Sequence, residues 1–220
     1  MVDDEIQLGE VRRLPPALQP RPDRRMDCSV VRCGSAGDPD VPVFLSYNGL
    51  QRLCEHVWSA AEVELGGVLV GDQCHDEEGN PFVVMTDSLA AQDYRNSADS
   101  FTFTHNAWSR FTRELDSRPG RRRIIGWYHS HPGWGVFLSD RDQFICESFF
   151  VGRLDIAMVV DPQCKQLGVF QHTESKSDSM QPVAGCFVFI EGEASTEISE
   201  EGLPTPLRYW DGPGSSGRSG

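Results

Sequence analysis

The spacing of apolar and polar positions changes several times along the chain, and each change marks a new element. Val41 to Leu45 is a short apolar run; after Asn48, a candidate helix N-cap, Leu50, Leu53, Cys54, Val57 and Ala61 recur at helical spacing. "LGGVLVG" (65–71) and "PFVVMTDSLA" (81–90) are apolar, β-branched runs on either side of the acidic turn segment "DQCHDEEGN", which predicts an antiparallel strand pair. A polar loop over 91–100 leads to a short strand at Phe101–Thr104. Asn106 then precedes Trp108, Phe111 and Leu115, a helical stripe that stops before the breaker "SRPG". "RRIIGWYHS" reads as a buried strand, residues 139–150 as a helix, and "LDIAMVVD", "QLGVFQH" and "CFVFIE" as three further strands. Hairpin-paired strands with helices at intervals predict an α/β or α+β fold, a mixed sheet flanked by helices.

The ends read differently. Residues 1–40 carry Pro15, Pro16, Pro20, Pro22 and Pro39 among charges with little periodicity, so an extended or disordered arm is expected there. Residues 193–220 begin acidic and end in "GPGSSGRSG", a flexible tail by composition. That leaves 41–192 as one globular domain, and 220 residues with 39% hydrophobic content suffice for one sizeable core.

A net charge of −13 argues against nucleic acid as a partner, because phosphate binding draws on Lys and Arg; a basic protein face suits the chain better. The longest apolar run, Val183–Ile190, is far shorter than the roughly 20 residues a membrane span needs, so no membrane partner is expected. The seven cysteines form no CxxC pair and no apolar leader precedes them, which places the thiols, reduced, in a cytoplasm.

The chemistry concentrates in "GWYHSHPGWGVFLSDRD" (126–142). On a strand, residues i and i+2 share a face, so His129 and His131 project side by side. Ser139 and Asp142, three apart at a helix start, also share a face, and Asp142 can point back toward the histidines. Two imidazoles and a carboxylate suit zinc, and catalytic zinc sites take three protein ligands and keep a fourth position open. Each half has an ordinary structural explanation: surface histidines for one, an S-x-x-D capping box for the other. The combination at fixed offsets after an apolar strand is harder to explain that way. Capping and metal binding can also coexist at Ser139.

The segment fits H-x-H-P-x(6)-S-x-x-D at His129, His131, Pro132, Ser139 and Asp142, and so resembles the JAMM motif of the JAB1/MPN/Mov34 metalloproteases. "IIGWYHSHPGWG" and "AMVVDP" (157–162) are similar to the proteasome-lid deubiquitinase and its relatives. "ELGGVLVG" (64–71) matches the family's E-x-x-G-x-L-x-G, favouring Glu64 over its neighbour Glu62, which alternation alone does not separate.

The resemblance implies an MPN/JAB fold, a curved mixed β-sheet flanked by helices and cytidine-deaminase-like. It implies one Zn2+ held by His129, His131 and Asp142, Glu64 as general base toward a metal-activated water, and Ser139 as hydrogen-bond donor to the oxyanion. The implied activity is an isopeptidase cutting after the C-terminal glycine of ubiquitin or a ubiquitin-like protein, with a partner subunit as a further expectation. Two alternatives stand beside it: a processing peptidase trimming a ubiquitin-like sulfur carrier, and a non-catalytic scaffold. Phe103 and Thr104, in the family's first insertion by position, and Trp134 are candidate substrate contacts. Past Asp142 only His172 joins Cys146, Cys164 and Cys186, too few histidines for the second structural zinc of the endosomal branch.

Overall fold

The computed structural model describes residues 15–34, 41–92, 94–97, 100–103, 105–117, 122–172, 179–192, 203–204 and 207–210. In chain order the elements are β1 (Ala17–Leu18), β2 (Cys28–Gly34), β3 (Val43–Ser46), α1 (Tyr47–Ser59), β4 (Gly66–His75), β5 (Pro81–Ala90), β6 (Tyr94–Ser97), β7 (Ser100–Phe103) and α2 (His105–Asp116). Then follow β8 (Arg123–Ser130), α3 (Asp140–Phe149), β9 (Ile156–Asp161), β10 (Gln166–His172), β11 (Met180–Pro182), β12 (Gly185–Glu191) and β13 (Arg208–Tyr209).

One mixed sheet runs in the order β11-β10-β9-β8-β4-β5-β3-β12-β2, with β1 beside β4 and β13 beside β10, while β6 and β7 form a separate hairpin. The two central pairs differ in direction: β4 and β8 are antiparallel, β8 and β9 parallel. The β4 register slips against β8 between Leu69 and Val70 and against β5 between Val70 and Gly71. Paired irregularities of this kind bend a strand and give the sheet its curl. Gly126 and Gly71 stand where strands press close, since a Cβ on either would lie 1.9 Å from a carbonyl oxygen of the next strand.

The β8 side chains divide between two core layers, with the slip at Ile125 interrupting strict alternation. Ile125 and Tyr128 join the layer under α1, with Leu50, Leu53 and Val57; Trp127 joins the layer under α2 and α3, with Phe111, Ile145 and Cys146. The mixed sheet between helices is the α+β architecture expected from the sequence. Among the described residues no helix is long and apolar enough to cross a membrane.

Several local expectations are corrected. Helix α1 starts at Tyr47, so Asn48 lies inside its first turn; β3 runs straight into the helix and the N-cap position falls to Ser46, which makes no side-chain cap bond. Helix α2 likewise begins at His105, one residue before Asn106. Strand β4 continues through His75 because Asp72 to His75 ladder with Val84 to Pro81 and Cys74 is buried. The reversal is therefore confined to Asp76–Asn80, where the Asp76 carboxylate accepts the backbone N–H groups of Glu78 and Asn80 at 3.0 and 2.9 Å. Part of the expected loop at 91–100 is the hairpin strand β6. Strand β2, inside the segment 1–40, ladders along all of β12, and β13, beyond residue 192, pairs with β10, so the sheet reaches past both ends of 41–192.

Candidate metal centre

Register builds the site. Gly66 lies opposite His129 on β8, and extending that antiparallel alignment by two residues sets Glu64 across from His131. Ser130, between the histidines, fixes the alignment. Its N–H donates to the Leu65 carbonyl at 2.8 Å, its Oγ accepts the Leu65 N–H at 2.9 Å, and the hydroxyl reaches the Val63 carbonyl at 3.4 Å. The residues either side of Glu64 are thus tied to the strand that carries the imidazoles.

Helix α3 brings the fourth group. Trp127 Nε1 donates to Cys146 Sγ at 3.3 Å, docking the helix on β8. One turn toward the helix N-terminus and two residues along the strand, the same pairing repeats as Asp142 and His129, with Oδ2 3.3 Å from Nε2. Ser139 caps the helix in a full capping box: its Oγ accepts the Asp142 N–H, and Asp142 Oδ2 accepts the Ser139 N–H at 2.8 Å and hydroxyl at 2.7 Å. The cap and the site therefore share one carboxylate oxygen.

One ligand atom from each of Glu64, His129, His131 and Asp142 falls within 4.8 Å of the others, and all four residues are buried. The two imidazole Nε2 atoms are 3.0 Å apart, Asp142 Oδ2 is 3.7 Å from His131 Nε2, and Glu64 Oε1 is 3.9 Å from it. His131 Nδ1 lies 3.2 Å from the Gly135 carbonyl, which only accepts, so Nδ1 carries the proton and Nε2 presents a lone pair. Trp127 stacks on His129 at 4.4 Å and 12°, setting its ring plane, while His129 Nδ1 has no partner among the described residues. Glu64 Oε2 is likewise buried and unpartnered. Converging lone pairs, a carboxylate beside them and a second carboxylate with a spare oxygen fit a divalent cation of the zinc type, with three ligands and one attendant base.

Electrostatics separate the two carboxylates. Burial pushes the Glu64 pKa above the ordinary glutamate range, and the nearby histidines offset this only in part. Burial acts on Asp142 in the same sense, but the adjoining imidazoles, His129 foremost, and the hydrogen bond from the Ser139 hydroxyl outweigh it and hold Asp142 well below the usual range. Two acids with pKa values driven apart in one pocket is a pattern common at catalytic centres.

The structure thus brings Glu64, His129, His131, Ser139 and Asp142 together and leaves Glu62 exposed in the preceding turn. Trp134 is 49% exposed with its ring 5.9 Å from that of His131. Phe103 belongs to β7, but its side chain and all of Thr104 lie outside the described residues. Sequence reasoning missed two residues at the site: Ser130, whose role depends on a contact 65 positions away, and Phe137, whose 43%-exposed ring stands 4.6 Å from His131. Neither position carries a local pattern that distinguishes it.

Residues 48–163, just over half of the chain, match the family model of prokaryotic homologs of the JAB domain. COP9 signalosome complex subunit 5 of Candida albicans is 30% identical over 125 residues, 54% of this chain and 20% of that protein. Ubiquitin carboxyl-terminal hydrolase RPN11 of Saccharomyces cerevisiae is 27% identical over 127 residues, 57% of this chain and 40% of that protein. NAD(+) hydrolase TcpA of a Theionarchaea archaeon is 29% identical over 100 residues, 46% of this chain and 27% of that protein. The chain spans less than half the length of these curated relatives. A protein of Desulfitobacterium hafniense solved in solution superposes with a TM-score of 0.47 at 18% identity, over 64% of this chain and 88% of that one. With its buried Glu-His-His-Asp group, the chain belongs to the JAB domain family, matching the model of its prokaryotic homologs.

Proposed function

We propose that the chain is a zinc-dependent isopeptidase that hydrolyses the bond after the C-terminal glycine of a ubiquitin-like protein. The observation that carries this reading is the buried group Glu64, His129, His131 and Asp142, in which three residues have ligand geometry and the fourth keeps a spare carboxylate oxygen. The Saccharomyces relative, named as a ubiquitin carboxyl-terminal hydrolase, supports the substrate class.

Held by His129, His131 and Asp142, zinc would supply Lewis acidity and a water-derived nucleophile at neutral pH. Glu64 takes the proton of the attacking water and returns it to the leaving lysine amine. A carboxylate whose pKa burial has lifted toward the working pH suits both halves of that task. Ser139 donates its hydroxyl to Asp142 Oδ2, and a turn about its side-chain bond would redirect that hydrogen to the developing oxyanion. The Ser139 backbone N–H stays on Oδ2, so the carboxylate keeps a donor. Val63, Trp134 and Phe137, 41, 49 and 43% exposed beside Glu64 and His131, give the site an apolar rim suited to an extended chain ending in glycine.

The test is a cleavage panel: isopeptide-linked conjugates of ubiquitin and ubiquitin-like proteins, and the same carriers with a linear Gly-Gly-X extension. Isopeptide cleavage that chelation abolishes and added zinc restores is the expected result. Trimming of the linear extensions alone would make the chain a processing peptidase instead. No cleavage of either, with no zinc bound, would leave a scaffold.

A further inference from the structure

The loop after β8 carries His131 and no regular structure, yet its Nδ1 acceptor, the Gly135 carbonyl, has to stay in place for Nε2 to face the site. Four backbone donors converge on one carboxylate beneath this loop. Asp161, the last residue of β9 and completely buried, accepts the N–H groups of Gly133, Gln163 and Cys164 on Oδ1 at 3.1, 2.9 and 2.8 Å. Its Oδ2 accepts the Gly135 N–H at 2.7 Å. Burial alone would raise the pKa of this carboxyl, but the converging backbone N–H groups hold it below the ordinary range, so it stays ionised and accepts from all four.

The clamp also accounts for the glycines. Gly133 and Gly135 have φ of +79° and +86°, a left-handed backbone that turns both N–H groups inward. The His131 N–H donates to the Val160 carbonyl at 2.9 Å, so β9 holds the loop at its root through Val160 and near its tip through Asp161. From there the chain of contacts is short: Asp161 Oδ2 to the Gly135 N–H, the Gly135 carbonyl to His131 Nδ1–H, and His131 Nε2 to the site.

We propose that Asp161 is a positioning residue for the metal centre: by clamping Gly133 and Gly135 it fixes the Gly135 carbonyl on His131 Nδ1–H, and so holds the His131 tautomer and ring orientation that present Nε2 as a ligand. This rests on reading the Glu64 group as a metal site but not on any substrate. Outer partners of metal-bound histidines typically change metal affinity by about 10–100-fold when removed.

Two variants approach the relay from its two ends. In Asp161→Asn the amide oxygen can keep the three donors on one side, but its NH2 then meets the Gly135 N–H, and that bond is lost. Gly135→Ala leaves Asp161 untouched and meets no atom within 4 Å, so it strains only the backbone that carries both bonds. Zinc affinity is measured by chelator competition below the unfolding temperature of each apo protein. The His131 ring nitrogens of the apo proteins are followed by NMR. The expected result is a fall in zinc affinity of about 10–100-fold in both variants. A single Nδ1–H tautomer in the wild type should give way to a mixture in both. The apo melting temperature should fall in Gly135→Ala as well, because alanine is strained at φ +86°. If Asp161→Asn does not fold, Gly135→Ala decides alone. Unchanged zinc affinity and tautomer in a folded variant, whatever its melting temperature, overturns the proposal and makes the clamp purely structural. A wild-type protein that binds no zinc overturns the metal reading itself, and the proposal with it.

Discussion

Replacing Glu64 with Gln preserves side-chain volume and removes one proton acceptor. Glu64 Oε1 is 3.9 Å from the nearest imidazole nitrogen, whereas His129, His131 and Asp142 meet at 3.0 to 3.7 Å, so the ligand set survives the change. Zinc content should therefore stay at the wild-type level. Turnover should fall by about 10²–10⁴, the usual worth of a positioned general base, or about 3–5 kcal/mol of barrier. Stability should move the other way. The folded-state pKa of Glu64 is raised, so the fold favours the protonated form; that advantage is present at acid pH and lost as pH rises through the folded value. Above it the native protein holds a buried carboxylate near Asp142, which Gln does not. Stripped of metal, Glu64→Gln should be the more stable protein at pH 8, and the difference should close at pH 4. Zinc analysis after gel filtration, single-turnover cleavage of the best conjugate and urea unfolding of the chelated proteins at the two pH values measure all three quantities. Turnover within tenfold of wild type, or zinc lost along with turnover, refutes the assignment of Glu64 as base.

Three other substitutions probe separate parts of the molecule. Ser130→Ala strands the buried Leu65 N–H, at a cost of about 1–3 kcal/mol, and loosens the segment bearing Glu64; urea unfolding and zinc analysis should show lower stability and full metal content, with kcat reduced. Asp142→Asn takes a charged ligand from the metal but keeps one oxygen for the Ser139 N–H and hydroxyl, so zinc should no longer survive gel filtration while the α3 cap stays in place and the urea midpoint of the apo protein changes little. Gly126→Ala would set a Cβ 1.9 Å from the Ile156 carbonyl oxygen, and forcing β8 from β9 should cost about 1–3 kcal/mol or more; an unchanged urea midpoint would mean the strands already stand further apart.

The parts of this protein legible in the sequence are those whose signal is local. His129, His131, Ser139 and Asp142 sit within one strand, turn and helix start, and periodicity alone aligns them. Strands β5 and β10 kept the bounds the pattern predicts because each apolar run follows closely on a chain reversal. Glu64 needed the resemblance, since only the β4–β8 register separates it from Glu62. The rest depended on pairings distant in sequence. Strand β2 is mostly half-buried and takes its place only by laddering on β12, more than 150 residues later. Asp161 reads as the polar end of a buried strand until the loop it clamps is seen above it. The capping residue expected at Asn48 failed for a simpler reason: α1 already starts at Tyr47, so the favoured cap type lies inside the first turn.

All three ligands lie within the 14 residues from His129 to Asp142, while Glu64 is 65 positions before His129. Closing a short loop costs the chain little entropy, and bringing Glu64 to it requires the β4–β8 ladder to form first. The proposed ligands are thus neighbours in the chain, whereas the proposed base depends on a contact distant in sequence. On the proposed reading, a chain in which the β4–β8 ladder has not formed carries the three ligand residues on one segment but lacks the base. If that segment binds zinc in the unfolded ensemble, zinc will raise the melting temperature by less than its affinity for the native state implies.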